Sequence, residues 1–223
     1  MVKPEQPAPR FYGSFGRFAR WTFRVFSKPY RCAFERSETP CVYVCRHLNM
    51  HGPYTTLKWI PFDIHPFVLH VFTEKESAIK QYTEYTFAER IGKPAPKRSL
   101  PGTLAGILTC KVVRSLGAVP VYRDSRAIKT LREALKHLEN GESVIVWPDI
   151  KYTEGYDQPC EIYSGFLYLG ELYQRKTGKE LPFIPLYLDD EERVIHAREP
   201  IVIQHFREEE KAVAAQMEQA LQR

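Results

Sequence analysis

Short apolar runs alternate with amphipathic segments along most of the chain, and this alternation predicts its secondary structure. The strand-like runs are rich in Val, Ile and Leu and occupy residues 41–46, 68–73, 117–123, 143–147 and 181–188. Helical spacing is clearest from Ser125, the expected N-cap, to Gly141, and it returns from Phe206 onward. We expect one α/β domain with a mixed, mostly parallel sheet, covered by helices on both faces.

Residues 192–203 predict a hairpin or two edge strands. The N-terminal segment instead predicts an amphipathic helix that ends before Pro29. At about 100° per residue, its apolar face carries mainly aromatic residues: Phe11, Phe15, Phe18, Trp21 and Phe26. The opposite face spans about 80° and is basic, with Arg10, Arg17, Arg20, Arg24 and Lys28.

Such a helix suits the headgroup layer of a membrane. Aromatic rings partition into the membrane, and we assign this membrane contact to Phe15, Phe18 and Trp21. Guanidinium groups bind lipid phosphate, and we assign this binding to Arg17, Arg20 and Arg24. We therefore divide the chain into a membrane-interacting arm, residues 1–31, and an α/β domain, residues 32–223. The alternative is an ordinary helix that covers the core of its own domain.

The charge distribution supports an anionic partner for the arm. The 223 residues carry a formal net charge of +5. Residues 1–31 hold seven Lys and Arg against Glu5 alone, so this segment contributes +6 and the remainder −1. A local anionic surface is therefore favoured. Nucleic-acid binding is disfavoured, because the domain is slightly acidic and has no recognised reader motif.

The lack of a recognisable targeting signal and the spacing of the cysteines indicate the cellular compartment. No run of about 18 apolar residues predicts a bilayer-spanning helix, and no charged-then-apolar leader opens the chain. The five cysteines include no Cys-x-x-Cys pair, which favours reduced structural thiols over disulfides or a zinc ribbon. We expect a cytoplasmic protein that attaches peripherally to the inner face of the membrane.

Four strand ends carry the candidate chemistry, as is typical of α/β domains. These motifs span residues 46–52, 117–123, 146–151 and 181–186. In that order, with the intervening helices, the chain resembles the lysophospholipid and glycerolipid acyltransferase family, which includes 1-acylglycerol-3-phosphate acyltransferase. The resemblance extends over residues 10–205; the second and fourth motifs match well, and the first and third are altered.

The resemblance implies that His47 is the general base. Its imidazole would take the proton of an acceptor hydroxyl, and that hydroxyl would attack an acyl thioester. The family places an Asp after four intervening residues, where this chain has Gly52. Another group must then orient the ring, and the candidates are Asn49, Asp63, a backbone carbonyl and a water. Asn49 is also expected to contact the acceptor.

The resemblance further implies that Arg123 binds the phosphate of the acceptor, which suits the planar donor fork of a guanidinium group. The family's Phe-Pro-Glu-Gly-Thr motif is replaced by Trp147 to Lys151. A shorter carboxylate and a β-branched residue in place of Gly imply a reshaped acceptor pocket, lined by Asp149 and Lys151.

The leading hypothesis is a peripheral acyltransferase of phospholipid biosynthesis. It would use acyl-CoA or acyl-ACP as donor and a lysophospholipid-like acceptor. No metal or other cofactor is expected, because the thioester is already activated.

Two other functions stay open. One is a lipid-binding relative that has lost turnover. The other is a metal-dependent hydrolase built on ligand-type residues within 26 positions, among which His47 and His51 would share a helix face. The full set is Cys45, His47, His51, Asp63, His65 and His70.

Overall fold

A computed structural model describes residues 10–90, 100–151, 155–156 and 159–222. Its strands are β1 (Arg31–Cys32), β2 (Val42–Cys45), β3 (His65–Leu69), β4 (Val119–Val121), β5 (Val144–Val146), β6 (Phe183–Asp189) and β7 (Val194–Ala197). Its helices are α1 (Ser14–Val25), α2 (His51–Trp59), α3 (Lys75–Lys80), α4 (Leu100–Ser115), α5 (Ala127–Glu139), α6 (Tyr168–Thr177) and α7 (Phe206–Ala220). A π-helix, Gln81–Arg90, continues α3, and 3-10 turns occupy Leu48–Met50, His70–Phe72 and Ser164–Leu167.

The strands form one open sheet in the order β1-β7-β6-β2-β5-β3-β4. The five strands from β6 to β4 are parallel. At the other edge, β7 is antiparallel to β6 and parallel to β1. The expected mixed, mostly parallel sheet is therefore confirmed. Residues 192–203 do not pair with each other as a hairpin: β7 pairs with β6, and Ile201 forms an isolated bridge to Phe183.

The pleat of the central strand β2 divides its side chains between two apolar layers. Val42 and Val44 belong to the layer that α5, α6 and α7 cover. Tyr43 and Cys45 belong to the opposite layer, which α2 and the segment after it cover. Helices therefore lie on both faces, and all of β2 is buried, as expected of a central parallel strand.

Two element boundaries differ from the sequence prediction. β3 begins at His65, and the chain leaves the sheet at His70 in a 3-10 turn, so the predicted strand 68–73 was placed too late. Ser125 does not cap α5, which begins at Ala127. Asp124 takes over the turn instead: its Oδ1 accepts the Arg126 N–H at 2.8 Å, and its carbonyl accepts the Ala127 N–H at 2.9 Å.

Gly106 tests how closely α4 packs on α3. A Cβ at this position would lie 2.6 Å from Ile79 Cα. Alanine normally stabilises a helix interior relative to glycine by up to about 1 kcal/mol. Here we expect Gly106→Ala to lower the free energy of unfolding by about 1–3 kcal/mol, because the helices must separate. Urea denaturation measures this change in the free energy of unfolding. Gly165→Ala is the control, because a Cβ on Gly165 would meet nothing within 4 Å. A gain in stability for Gly106→Ala would contradict the packing.

Candidate functional site

The predicted site residues of the domain lie at the carboxyl edge of the parallel strands. His47 follows β2, Asp149 follows β5, and Arg123 follows β4. β2 and β5 are neighbours, whereas β4 lies three strands away from β2. At about 4.8 Å per strand, this separates the ends of β2 and β4 by about 14 Å along the sheet. His47 and Asp149 are thus adjacent, and Arg123 lies at the far end of the same edge.

A buried ion pair joins the ends of β2 and β5. Arg46 and Asp149 are 1% and 2% exposed, and the Arg46 Nε lies 3.7 Å from the Asp149 Oδ2. The guanidinium group also lies over the ring of Tyr156, 5.1 Å from its centroid. Burial raises the pKa of Asp149, while the hydrogen bond from His47 and the charge of Arg46 oppose that rise. Asp149 therefore lies beneath the surface of the site.

The Asp149 carboxylate holds the backbone of the catalytic candidate. Its Oδ1 accepts the backbone N–H of His47 at 2.9 Å. The sequence analysis expected Asp149 to line the acceptor pocket. Its observed contacts instead fix the position of the loop that carries His47.

The ring of His47 caps its own loop. Its Nδ1 accepts the backbone N–H of Met50 at 3.1 Å. Since an N–H can only donate, Nδ1 offers its lone pair, and the neutral ring carries its proton on Nε2. His47 is half-buried, so it presents an N–H donor in this arrangement. The family mechanism implied by the resemblance requires the opposite tautomer.

The backbone after His47 explains why no Asp stands at position 52. Leu48, Asn49 and Met50 all have positive φ, between 44° and 76°. This left-handed run folds the chain back, so that the Gly52 N–H donates to the His47 carbonyl at 3.1 Å. A Cβ on Gly52 would lie 1.8 Å from the Arg46 carbonyl oxygen. The loop therefore has no room for any side chain at this position.

Arg123 is connected to the β5 end of the site through an aromatic ring. Its guanidinium carbon lies 5.3 Å from the centroid of Tyr163. The Tyr163 N–H donates to the Pro148 carbonyl at 2.9 Å, beside Asp149. Lys151 is exposed, and its Nζ lies 3.8 Å from the Glu161 carboxylate. Asn49 is exposed on the His47 loop.

Two arginines of the basic face of α1, Arg20 and Arg24, point toward the domain. The Arg20 Nε donates to the Lys58 carbonyl at 3.2 Å, and other Arg20 nitrogens contact the Ile60 carbonyl and Asp63. The Arg24 Nε donates to the same Lys58 carbonyl at 2.5 Å. Burial lowers the pKa of both arginines. The sequence analysis assigned these groups to lipid phosphate, but their contacts are with the end of α2.

Arg17 is exposed, and its Nη1 donates to the Tyr12 carbonyl of the same N-terminal segment at 2.5 Å. The apolar face of α1 is left open, with Phe18 60% exposed and Trp21 61% exposed. Phe15, by contrast, is half-buried, with the Lys111 ammonium 6.0 Å from the centre of its ring.

A second helix enlarges this open surface. α4 packs beside α1 and exposes Leu100, Leu104 and Leu108, which recur every fourth residue on one face. We call the exposed apolar residues of the two helices the α1–α4 surface; they are Phe18, Trp21, Val25, Phe26, Leu100, Leu104 and Leu108. In the described residues, no helix has the length and apolar character needed to cross a bilayer.

The ligand-type residues near His47 do not converge. His51 Nε2 lies 2.8 Å from the Asp190 carboxylate. Cys45 is fully buried, and burial raises the pKa of its thiol. The five cysteines are free, as the sequence analysis expected of reduced thiols. Within the described ranges, no group of three potential metal ligands includes His47 or His51.

Sequence reasoning missed Arg46 and Tyr163. Arg46 was read only as part of the His47 motif, although an arginine directly after a fully apolar strand signals a buried charge that needs a partner. Tyr163 carries no comparable signal, because its role depends on where residues 159–163 return beside β5.

No family model, curated protein or solved structure matches this chain.

Removing the Asp149 charge tests the buried pair. Asp149→Asn leaves the Arg46 guanidinium without its carboxylate in a buried setting, so we expect the free energy of unfolding to fall by about 3–5 kcal/mol. Glu161→Gln breaks only the exposed pair with Lys151 and should cost less than about 1 kcal/mol. Urea denaturation compares the two variants. Equal, small losses would mean that the Arg46–Asp149 pair does not hold the site.

Proposed function

We propose that this protein is a peripheral membrane acyltransferase that moves an acyl group from a thioester to the hydroxyl of a lysophospholipid-like acceptor. The observation that carries the proposal is an aromatic contact between α1 and the start of α2, directly after the His47 loop. Phe23 of α1 lies 6.3 Å, ring to ring, from Tyr54. Tyr54 is exposed in the first turn of α2, directly after that loop.

The proposed reaction begins at His47. An imidazole nitrogen takes the proton of the acceptor hydroxyl, and the oxygen attacks the thioester carbonyl. The C–S bond then breaks, the ester forms, and the thiol leaves with a proton. For Nε2 to act as base, Nδ1 must carry the ring proton, so the hydrogen bond from Met50 opens in the reactive state.

The other residues of the site bind and position. Arg123 holds the acceptor phosphate by its donor fork. Asp149 fixes the His47 backbone from below, while Lys151 and Asn49 contact the acceptor from the exposed side. The donor is acyl-CoA or acyl-ACP. The α1–α4 surface lies on the cytoplasmic face of an anionic membrane.

A second candidate is a lipid-binding protein that performs no acyl transfer. The hydrogen bond from Met50 to Nδ1 favours it, because that bond occupies the lone pair with which the neutral ring would accept a proton. This function would use the α1–α4 surface and Arg123 and would need no chemistry at His47.

Acyl transfer is measured with purified protein, labelled acyl-CoA or acyl-ACP, and a panel of lysophospholipids. We expect the wild-type protein to form product and His47→Ala to lower the rate by about 10²–10⁴-fold, the range for a lost general base. His196→Ala, on the remote strand β7, is the matched control and should keep the rate. Equal rates in wild type and His47→Ala would remove His47 from the mechanism. Lipid binding without product in the wild type would support the second candidate.

Membrane attachment is measured by co-sedimentation with vesicles of phosphatidylglycerol and phosphatidylcholine. We expect the double variant Phe18→Ser, Trp21→Ser to lose most of its binding, because two exposed rings no longer enter the headgroup layer. Ile128→Ser is the matched control, since Ile128 is 41% exposed on α5, across the sheet. Unchanged sedimentation of the double variant would contradict attachment through α1.

A further inference from the structure

Three metal-ligand residues meet at the amino edge of the parallel strands, opposite the candidate site. His65 is the first residue of β3, His137 lies in the last turn of α5, and Glu142 lies two residues before β5. One potential ligand atom from each lies within 4.8 Å of the other two. In the described residues, this is the group of three that could hold a metal ion.

Both imidazoles converge on one carboxylate oxygen. The His65 Nε2 and the His137 Nδ1 each lie 2.9 Å from the Glu142 Oε2. The two rings are stacked, with their centroids 3.6 Å apart. His65 is buried, whereas the side chains of His137 and Glu142 are 22% and 21% exposed. The cluster is thus fixed on one side and open to a solute on the other.

The hydrogen bonds of His65 leave one contact that needs a proton or a cation. Its Nδ1 lies 2.7 Å from the Gly117 carbonyl oxygen, which can only accept, so Nδ1 carries a proton. The neutral ring then has a lone pair on Nε2, facing a carboxylate oxygen at 2.9 Å. Only a proton or a cation between these two atoms makes their contact favourable.

We propose that His65 Nε2, His137 Nδ1 and the Glu142 carboxylate bind one divalent transition-metal cation of the Zn²⁺ type. Two imidazoles and one carboxylate are a known ligand set for Zn²⁺, with water in the fourth position. The Gly117 carbonyl then acts as the outer partner that fixes the tautomer of a ligating histidine. The cation replaces the missing proton between Nε2 and Oε2.

The surroundings hold His65 in this orientation. A Cβ on Gly117, whose φ is +63°, would lie 2.7 Å from the His65 Nδ1, so only glycine permits the close approach. On its other side, Phe11 stacks on the imidazole at a centroid distance of 3.7 Å. The cation would therefore join the start of β3, the end of α5 and the turn before β5 beneath the segment that leads into α1. Its role is structural, and it does not depend on the proposed function.

Zn²⁺ titration of the chelator-stripped full-length protein tests the site. We expect one Zn²⁺ per chain by calorimetry, and a rise in Tm of about 5 °C or more at a hundredfold excess over Kd. His137→Gln and Glu142→Gln alter the two partly exposed ligands and should each weaken binding by about 100-fold. His205→Ala, an exposed histidine at the start of α7, is the control and should bind as wild type does.

Co²⁺ as the probe identifies the ligand atoms. A tetrahedral nitrogen and oxygen set gives visible d–d bands without the thiolate-to-metal charge-transfer band that cysteine ligands produce. We expect that spectrum in the wild type and its loss in His137→Gln. The far-UV circular dichroism of each variant verifies that it is folded. No stoichiometric Zn²⁺ in the wild type, wild-type affinity for Zn²⁺ in either ligand variant, or a thiolate spectrum would each overturn the proposal.

Discussion

The buried pair of Arg46 and Asp149 is the constraint on which the candidate site depends. Two charges at the ends of adjacent strands are nearly sealed from water, which costs free energy unless each is well partnered. Asp149 meets this demand through Arg46 and through the backbone N–H of His47. The electrostatics of the interior thereby fix where the His47 loop begins. The left-handed residues that follow and the lack of space at Gly52 then decide how the ring is held.

The need to give polar groups a hydrogen-bond partner also determines how α1 lies on the domain. The last carbonyl groups of a helix have no partner within that helix. The carbonyls of Lys58 and Ile60 at the end of α2 are satisfied by guanidinium groups of α1, and Asp63 adds a carboxylate. Arg20 and Arg24 are directed inward, whereas Phe18 and Trp21 face outward. This arrangement gives the apolar surface, rather than the basic residues of α1, the main part in any membrane contact.

The two edges of the parallel strands carry different chemistry. The carboxyl edge holds His47 and Arg123 in loops, where a substrate can reach them. The amino edge holds His65, His137 and Glu142 in short turns between packed elements. A group at that edge connects strands and helices, and it lies at the opposite end of the strands from the proposed acyl-transfer site. We therefore expect loss of the proposed metal ligands and loss of His47 to affect separate properties.

The sequence by itself determined the α/β class, the mostly parallel sheet and the alternation of elements, because strand and helix periodicities are local properties. It also located His47 and Arg123 at strand ends. Only the tertiary structure decided that Arg20 and Arg24 of α1 turn inward, since the carbonyl groups that they contact at the end of α2 lie about 40 residues away. Likewise, His65 and Glu142 are 77 residues apart and meet only because β3 and β5 pair. Contacts between distant segments follow from packing and hydrogen-bond satisfaction, which no local pattern records.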